Sequence, residues 1–302
     1  MTSNRIASAY QVVSATAEFD EHRVHLGGWS TRSLETPGLG PTYLLIHGFS
    51  DSADTWHDVL RGLREFNRRA IAVDLPYHGA ATSQAADRPG HDVLGELDRF
   101  VAAAITAADT GAGVVLIGNS LGGLLALRAA QDAIPAVRAV LAIGPAGLAF
   151  TPALKWLRRV DPVLGLARRV GFPPNRVATL ALSEIYLRAV NSTRLSKSAS
   201  DRYRRQANAT RVLAISGALL RKLADPRILQ LDAIRVPAML VWGEKDWLTP
   251  PTRAAQATAR NAAIPTQIVA GAGHCLQLER PHEVVDMLIG LATDLDCGRM
   301  AL

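Results

Sequence analysis

The sequence predicts an α/β protein: a mainly parallel, doubly wound sheet interrupted by a helical insert. Two patterns carry that prediction. Short apolar runs of strand type recur along the chain with helix-forming stretches between them, as in a sheet covered by helices on both faces. The alternation then breaks after Ile143, where only helical segments follow until strand patterning returns at Ala238. The core is therefore assigned to residues 1–145 and 226–302. Residues 146–225 are read as an inserted helical cap over the strand ends, where open α/β sheets place their ligands.

Residues 22–26 and 29–34 flank a Gly27-Gly28 turn and read as a strand pair. Residues 42–46 (Thr-Tyr-Leu-Leu-Ile) form a continuous apolar run, the mark of a strand buried on both faces, and end in His47-Gly48-Phe49. A capped helix start is expected over 51–61. The next buried strand, 70–76, runs into Tyr77-His78-Gly79, and small and apolar residues over 93–108 read as a helix. A β-branched run over 114–117 climbs to Gly118-Asn119-Ser120-Leu121-Gly122, and helix formers occupy 124–130. Residues 139–143 give another buried strand, stopped by Gly144-Pro145. Helical segments carrying Trp156, Leu182, Tyr186 and Leu213 fill the insert. Strands resume at 238–243 and 267–269, and a helix over 281–294 closes the sequence.

With 302 residues, 48% of them apolar, the chain can bury one large core and a subdomain. It has no uncharged 18-residue apolar span, so no transmembrane helix is predicted. Polar residues interrupt every apolar patch in 1–20, unlike a signal peptide, and a cytoplasmic protein is expected. The two cysteines, Cys275 and Cys297, make neither a disulfide framework nor a metal cluster. No cofactor or metal is expected. The net charge of +6 is concentrated in 151–225, which holds 15 Lys and Arg against 4 Asp and Glu. That segment has no zinc, RNP or helix-turn-helix pattern, so no nucleic-acid partner is expected. Lys155, Arg158, Arg159, Arg168 and Arg169 interleave with Leu154, Trp156, Leu157, Leu164 and Leu166. A solvated cap helix with its apolar side over a pocket explains this pattern. The competing reading is weak association with an anionic membrane surface.

The chemistry centres on Ser120. A strand-to-helix turn with glycines on either side holds a hydroxyl at its apex, where a base and a substrate can both reach it. Serine is a poor nucleophile near neutral pH and needs a base, and the base needs a carboxylate to fix its tautomer. Asp246, in the loop after strand 238–243, is the candidate acid. His274, in the glycine-rich Gly271-Ala272-Gly273-His274 loop after the last strand, is the candidate base. Among the other candidates, Glu244 reads as a solvated loop residue and His47 and His78 as structural. Asp74 reads as a turn former, Cys275 as a small apolar filler and Trp247 as cap or core packing.

Taken together, His47-Gly48-Phe49, Asp74-Leu75-Pro76-Tyr77-His78-Gly79, the Ser120 turn, Trp242-Gly243-x-x-Asp246 and Gly273-His274 resemble the α/β-hydrolase superfamily over nearly the whole chain. The resemblance implies Ser120 as nucleophile, His274 as general base and then acid, and Asp246 as its orienter. It also implies an oxyanion hole made by the backbone N–H groups of Leu121 and Phe49. Serine rather than aspartate at the turn speaks against dehalogenase and epoxide-hydrolase relatives. A carboxylesterase or lipase acting on a small-molecule acyl ester is the first reading. The Gly-Asn-Ser-Leu-Gly-Gly spelling also resembles carbon–carbon hydrolases of ring-fission diketones, although Leu278 stands where those carry Trp. A non-catalytic ligand-binding module of the same fold is the alternative from a different class.

Overall fold

The computed structural model describes residues 11–15, 19–83, 92–148, 191–192, 209–225, 227–252 and 264–296. Most of the insert, with its Lys155–Arg169 basic cluster, Trp156, Leu182 and Tyr186, lies outside the described residues, as does Cys297.

Among the described residues nine strands build one sheet: β1 (Gln11–Ala15), β2 (Asp20–Leu26), β3 (Trp29–Thr36), β4 (Leu39–Ile46), β5 (Arg68–Val73), β6 (Val114–Asn119), β7 (Val137–Ile143), β8 (Ala238–Gly243) and β9 (Thr266–Val269). Their order is β1-β2-β3-β5-β4-β6-β7-β8-β9. Pairing is antiparallel from β1 through β3 to β5 and parallel from β5 onward, so the buried apolar runs form the parallel part. The described helices are α1 (His57–Glu65), α2 (Val93–Ala108), α3 (Leu121–Gln131), α4 (Ala209–Leu223), α5 (Leu276–Glu279) and α6 (Pro281–Asp296), with 3₁₀ turns at Ala53–Trp56 and Leu231–Ala233.

The period-two direction of strand side chains splits the core into two layers. Leu44 and Ile46 of β4 pack with α2 and α3 residues such as Leu97, Phe100 and Leu124. Tyr43 and Leu45 face the opposite way, into the layer containing Leu60 and Leu63 of α1 and Val284 and Leu288 of α6. Both sides of the strand are apolar because both are covered. Helix α2 starts where expected, with the Asp92 carboxylate accepting the Gly95 N–H at 3.3 Å.

One strand went unread and two local expectations need correction. Strand β1 carried too weak an apolar pattern to be read. The strand expected over 70–76 ends at Val73, because Asp74 turns its carboxylate away from the ladder to accept N–H groups of Ala53 (2.7 Å) and Ala80 (2.8 Å). The helix expected from Asp51 begins as a 3₁₀ turn at Ala53. Ser52 makes no side-chain cap bond, and Asp54 goes to Arg32 instead of the helix N-terminus.

Arg32 explains both of the last two departures. Its buried guanidinium bonds Asp54 at 2.6 Å and Asp74 at 3.1 Å, joining β3 to the loops after β4 and β5. Burial alone would lower the Arg32 pKa, but the two carboxylates outweigh it and raise it. Arg32→Met would leave two carboxylates in a nearly dry site with no counter-charge. The expected cost is about 3–5 kcal/mol, measured as the loss of unfolding free energy in urea.

Candidate active site

The turn that carries the candidate nucleophile Ser120 is built by backbone crowding. Helix α3 leaves β6 so tightly that a Cβ on Gly118 would strike the Gly122 carbonyl, and one on Gly122 the Ile46 carbonyl of β4. Ser120, caught between them, adopts φ 54° and ψ −111°. A left-handed non-glycine residue costs on the order of 1–3 kcal/mol and persists only where its surroundings hold it. Here its N–H donates to Ile143 O at 2.8 Å, and its carbonyl accepts from Leu124 and Ala146, both at 3.0 Å. The Ser120 residue is 8% exposed, at the N-terminus of α3, whose unsatisfied N–H groups favour developing negative charge.

Asp246 and His274 are brought together by the C-terminal ends of β8 and β9. The His274 Nδ1–H donates to Asp246 Oδ2 at 2.7 Å, with both side chains buried. The other carboxylate oxygen accepts the N–H groups of Leu248 (3.0 Å) and Thr249 (2.9 Å), and the Thr249 hydroxyl donates to Oδ2 at 2.7 Å. Burial pushes the Asp246 pKa up, but the charge and hydrogen bond of His274, with the Thr249 donors, hold it below the ordinary carboxylate value. Occupation of Nδ1 fixes the tautomer and leaves Nε2 as the basic atom. That Nε2 is buried and makes no hydrogen bond among the described residues, Ser120 Oγ included. A base-to-nucleophile bond is commonly long before substrate arrives. The two segments are nevertheless joined: the Asn119 side-chain amide donates to the His274 carbonyl at 3.0 Å.

Phe49 lies in the loop after β4, half-buried, its ring edge-on to His78 at 5.7 Å. Among the described residues its N–H has no hydrogen-bond acceptor, and that of Leu121 belongs to the open first turn of α3. Gly48 packs against Asn119 and Ser120, which sets this loop beside the nucleophile turn.

The competing candidates occupy supporting places. His47 accepts the Leu75 N–H on Nε2 at 2.9 Å and bonds Gly48 O through Nδ1 at 2.8 Å, clamping the ends of β4 and β5. His78 Nδ1 bonds Pro76 O at 2.8 Å. Asp74 is held by Arg32 as described above. Glu244 is exposed as expected, yet its carboxylate accepts the Gly271 N–H at 2.8 Å and so anchors the histidine loop. Cys275 is buried, and burial raises its thiol pKa well above the ordinary value, so it stays protonated. Trp247, expected in packing against core or cap, is 50% exposed, and most of the cap lies outside the described residues.

Several site residues escaped the sequence reading. Thr249 bonds Asp246 by hydroxyl and N–H, for which the Asp-x-x-Thr spacing was a usable signal. Gly144 read only as a strand stop. Its φ of +47° and the crowding of its missing Cβ by Asp246 Oδ2 (2.9 Å) and His274 Nδ1 (3.2 Å) show that the acid–base pair passes over it. Asn119 stood in the Gly-Asn-Ser-Leu-Gly-Gly spelling and Gln277 in the His274–Glu279 stretch compared with carbon–carbon hydrolases, but neither was given a role. No cluster of three or more His, Cys, Asp or Glu able to hold a metal occurs among the described residues. No helix among them is long and apolar enough to cross a membrane.

A mostly parallel sheet with a strained serine turn, an Asp–His pair and a His-Gly loop gathered at its strand ends defines the alpha/beta hydrolase class. A model of the alpha/beta hydrolase family matches residues 43–287, and the chain belongs to that family. Human monoacylglycerol lipase ABHD6 is 24% identical over 258 residues, covering 84% of this chain and 75% of that protein. The dihydrolipoyllysine-residue acetyltransferase component of the acetoin cleaving system of Pseudomonas putida is 28% identical, covering 88% and 68%. Among solved structures, a putative lipase from Acinetobacter baumannii superposes with a TM-score of 0.72 at 22% identity, covering 93% of both chains. A serine hydrolase involved in carbazole degradation gives 0.70 at 21% identity, covering 91% of this chain and 99% of that one. At these identities the structural likenesses establish the fold.

Two groups in the loop after β4 set opposite pH limits. Burial lowers the His47 pKa from 6.5 to about 4, so the fold favours the neutral ring. Its contribution is complete above pH 6.5 and is lost as pH falls through 4. Asp51, partly exposed but poorly hydrated, has its pKa raised from 3.8 to about 7. The fold favours its protonated form, so its contribution is present below pH 3.8 and lost as pH rises through 7. In thermal scans Asp51→Asn should match wild type near pH 4 and melt higher than wild type at pH 8.

Proposed function

We propose that this chain is a serine hydrolase that cleaves carboxylic esters through an acyl-enzyme on Ser120. The observation that carries the reading is the buried 2.7 Å bond from His274 Nδ1 to Asp246, which leaves Nε2 as a free buried base in a loop tied to the nucleophile turn. The lipases among the chain's relatives support the same reaction class.

Ser120 Oγ attacks the ester carbonyl while His274 Nε2 takes its proton, and the imidazolium is stabilised by Asp246. The carbonyl oxygen becomes an oxyanion held by the N–H groups of Phe49 and Leu121, preorganised at the strand end and the helix N-terminus. Collapse expels the alcohol, which receives the proton from His274. Water then attacks the acyl-enzyme with His274 as base, releasing the carboxylic acid and restoring the serine. Residues 146–225 would cap this site and select the acyl group.

The test is fluorophosphonate labelling of wild type against Ser120→Ala, followed by p-nitrophenyl esters of rising chain length beside a ring-fission diketone. Wild type should label and turn over esters, Ser120→Ala should do neither, and Asp246→Asn should lower kcat by about 10³–10⁴. Turnover of the diketone with inert esters would replace ester cleavage by carbon–carbon cleavage. An unlabelled wild type would favour a ligand-binding module.

A further inference from the structure

Gln277 is a polar residue in a fully buried position, on the single-turn helix α5 directly after the histidine loop. Leu276 beside it packs into the core. Its amide donates in two directions, to Thr55 Oγ1 at 3.1 Å and to Asn119 Oδ1 at 3.2 Å. Its own carbonyl oxygen is buried with no partner among the described residues. An unsatisfied buried acceptor is a cost that a purely structural residue would shed, so the two donated bonds need a reason.

The partners supply it. Asn119, immediately before Ser120, passes both of its N–H groups onward, to the His274 carbonyl at 3.0 Å and the Ile143 carbonyl at 3.3 Å. With its own N–H groups so occupied, Asn119 Oδ1 must be met by a donor, and Gln277 is that donor. In the other direction the Thr55 hydroxyl, having accepted from Gln277, hydrogen-bonds the Asp51 carboxylate, two residues beyond Phe49. Donor polarity is consistent along the whole path. One amide thus joins the Phe49 loop, the Ser120 turn and the His274 loop, three segments separated by more than 60 residues in sequence.

We infer that Gln277 is a positioning residue of the reaction, holding the His274 imidazole in register with Ser120 and with the N–H of Phe49. The assignment rests on the acyl-enzyme reading of the site. It extends that reading to a side chain that touches neither substrate nor reacting atoms. A misplacement of 1 Å costs on the order of 10²-fold in rate, which sets the size of the effect.

Two variants test it. Gln277→Leu keeps the volume and removes both donors. It should lower kcat for a p-nitrophenyl ester about 10²-fold with KM changed less than about threefold. Gln277→Glu is nearly isosteric. Protonated, the introduced carboxyl can still donate; ionised, it only accepts and confronts Asn119 Oδ1. The ionisable groups on the elements packed against α5 are Asp51, Asp54 (paired with Arg32) and His57 across the 3₁₀ turn and α1, and His274, Cys275, Glu279, Arg280, His282, Glu283 (paired with Arg280) and Asp286 along its own segment and α6. With charges of both signs nearby, the full burial of position 277 is what favours the protonated form. Relative to wild type, this variant should be most active at low pH and lose kcat as pH rises, a limb that a mere loss of stability would not create.

Hydrogen–deuterium exchange supplies a readout independent of turnover. Peptides covering 47–56 and 271–280 should exchange faster in Gln277→Leu, while those covering β7 and β8 stay unchanged. Wild-type kcat and pH profile in both variants, or unaltered exchange in both peptides, overturns the assignment. A wild type without Ser120-dependent turnover overturns the acyl-enzyme reading beneath it, and exchange then decides for or against the tie between the loops.

Discussion

The architecture depends on how closely helix α3 crosses the central strands. Gly118 and Gly122 bring the backbones of β6, α3 and β4 within a separation that no Cβ would allow. That approach forces Ser120 into a left-handed conformation and lifts its side chain off the sheet. The strain is local, but its support is not: the bonds that hold Ser120 come from β7 and from the loop that leaves it. The geometry of one residue is therefore set by three neighbouring strands, and the loops at those strand ends inherit their positions from it.

Around that crossing the protein uses buried polar groups as ties rather than as sources of net stability. Arg32 holds Asp54 and Asp74 at the ends of two loops. His47, kept neutral by burial, clamps β4 to β5. Gln277 and Asn119 join the segments that carry the candidate nucleophile and base. An apolar residue could fill any of these volumes at less desolvation cost. What it could not do is fix the register of those loops by directional bonds. The loops need such ties because chemistry requires them to be irregular, and irregular backbone has no ladder to hold it.

Much of this was legible in the sequence. Central strands announce themselves as apolar runs because both of their faces are covered, and 42–46, 114–117, 139–143 and 238–243 fall within β4, β6, β7 and β8. The Ser120 turn was legible because steric crowding leaves glycine as the only choice on either side of it. Asp246 and His274 were expected in loops directly after such strands, and the structure puts both there. Strand β1 was not, since an edge strand paired on one side needs no continuous apolar run.

The sequence by itself determined the fold class and the identity of the residues held at the strand ends, because periodicity, crowding and chain order are local properties. Only the tertiary structure decided which distant polar groups meet. That Arg32 reaches Asp54, that Gly144 makes room for the Asp246–His274 pair, and that Gln277 touches Asn119 across 158 positions are consequences of strand order. A side-chain hydrogen bond extends about 3 Å and carries no trace in the intervening sequence, so such partners become visible only when the sheet brings their loops together.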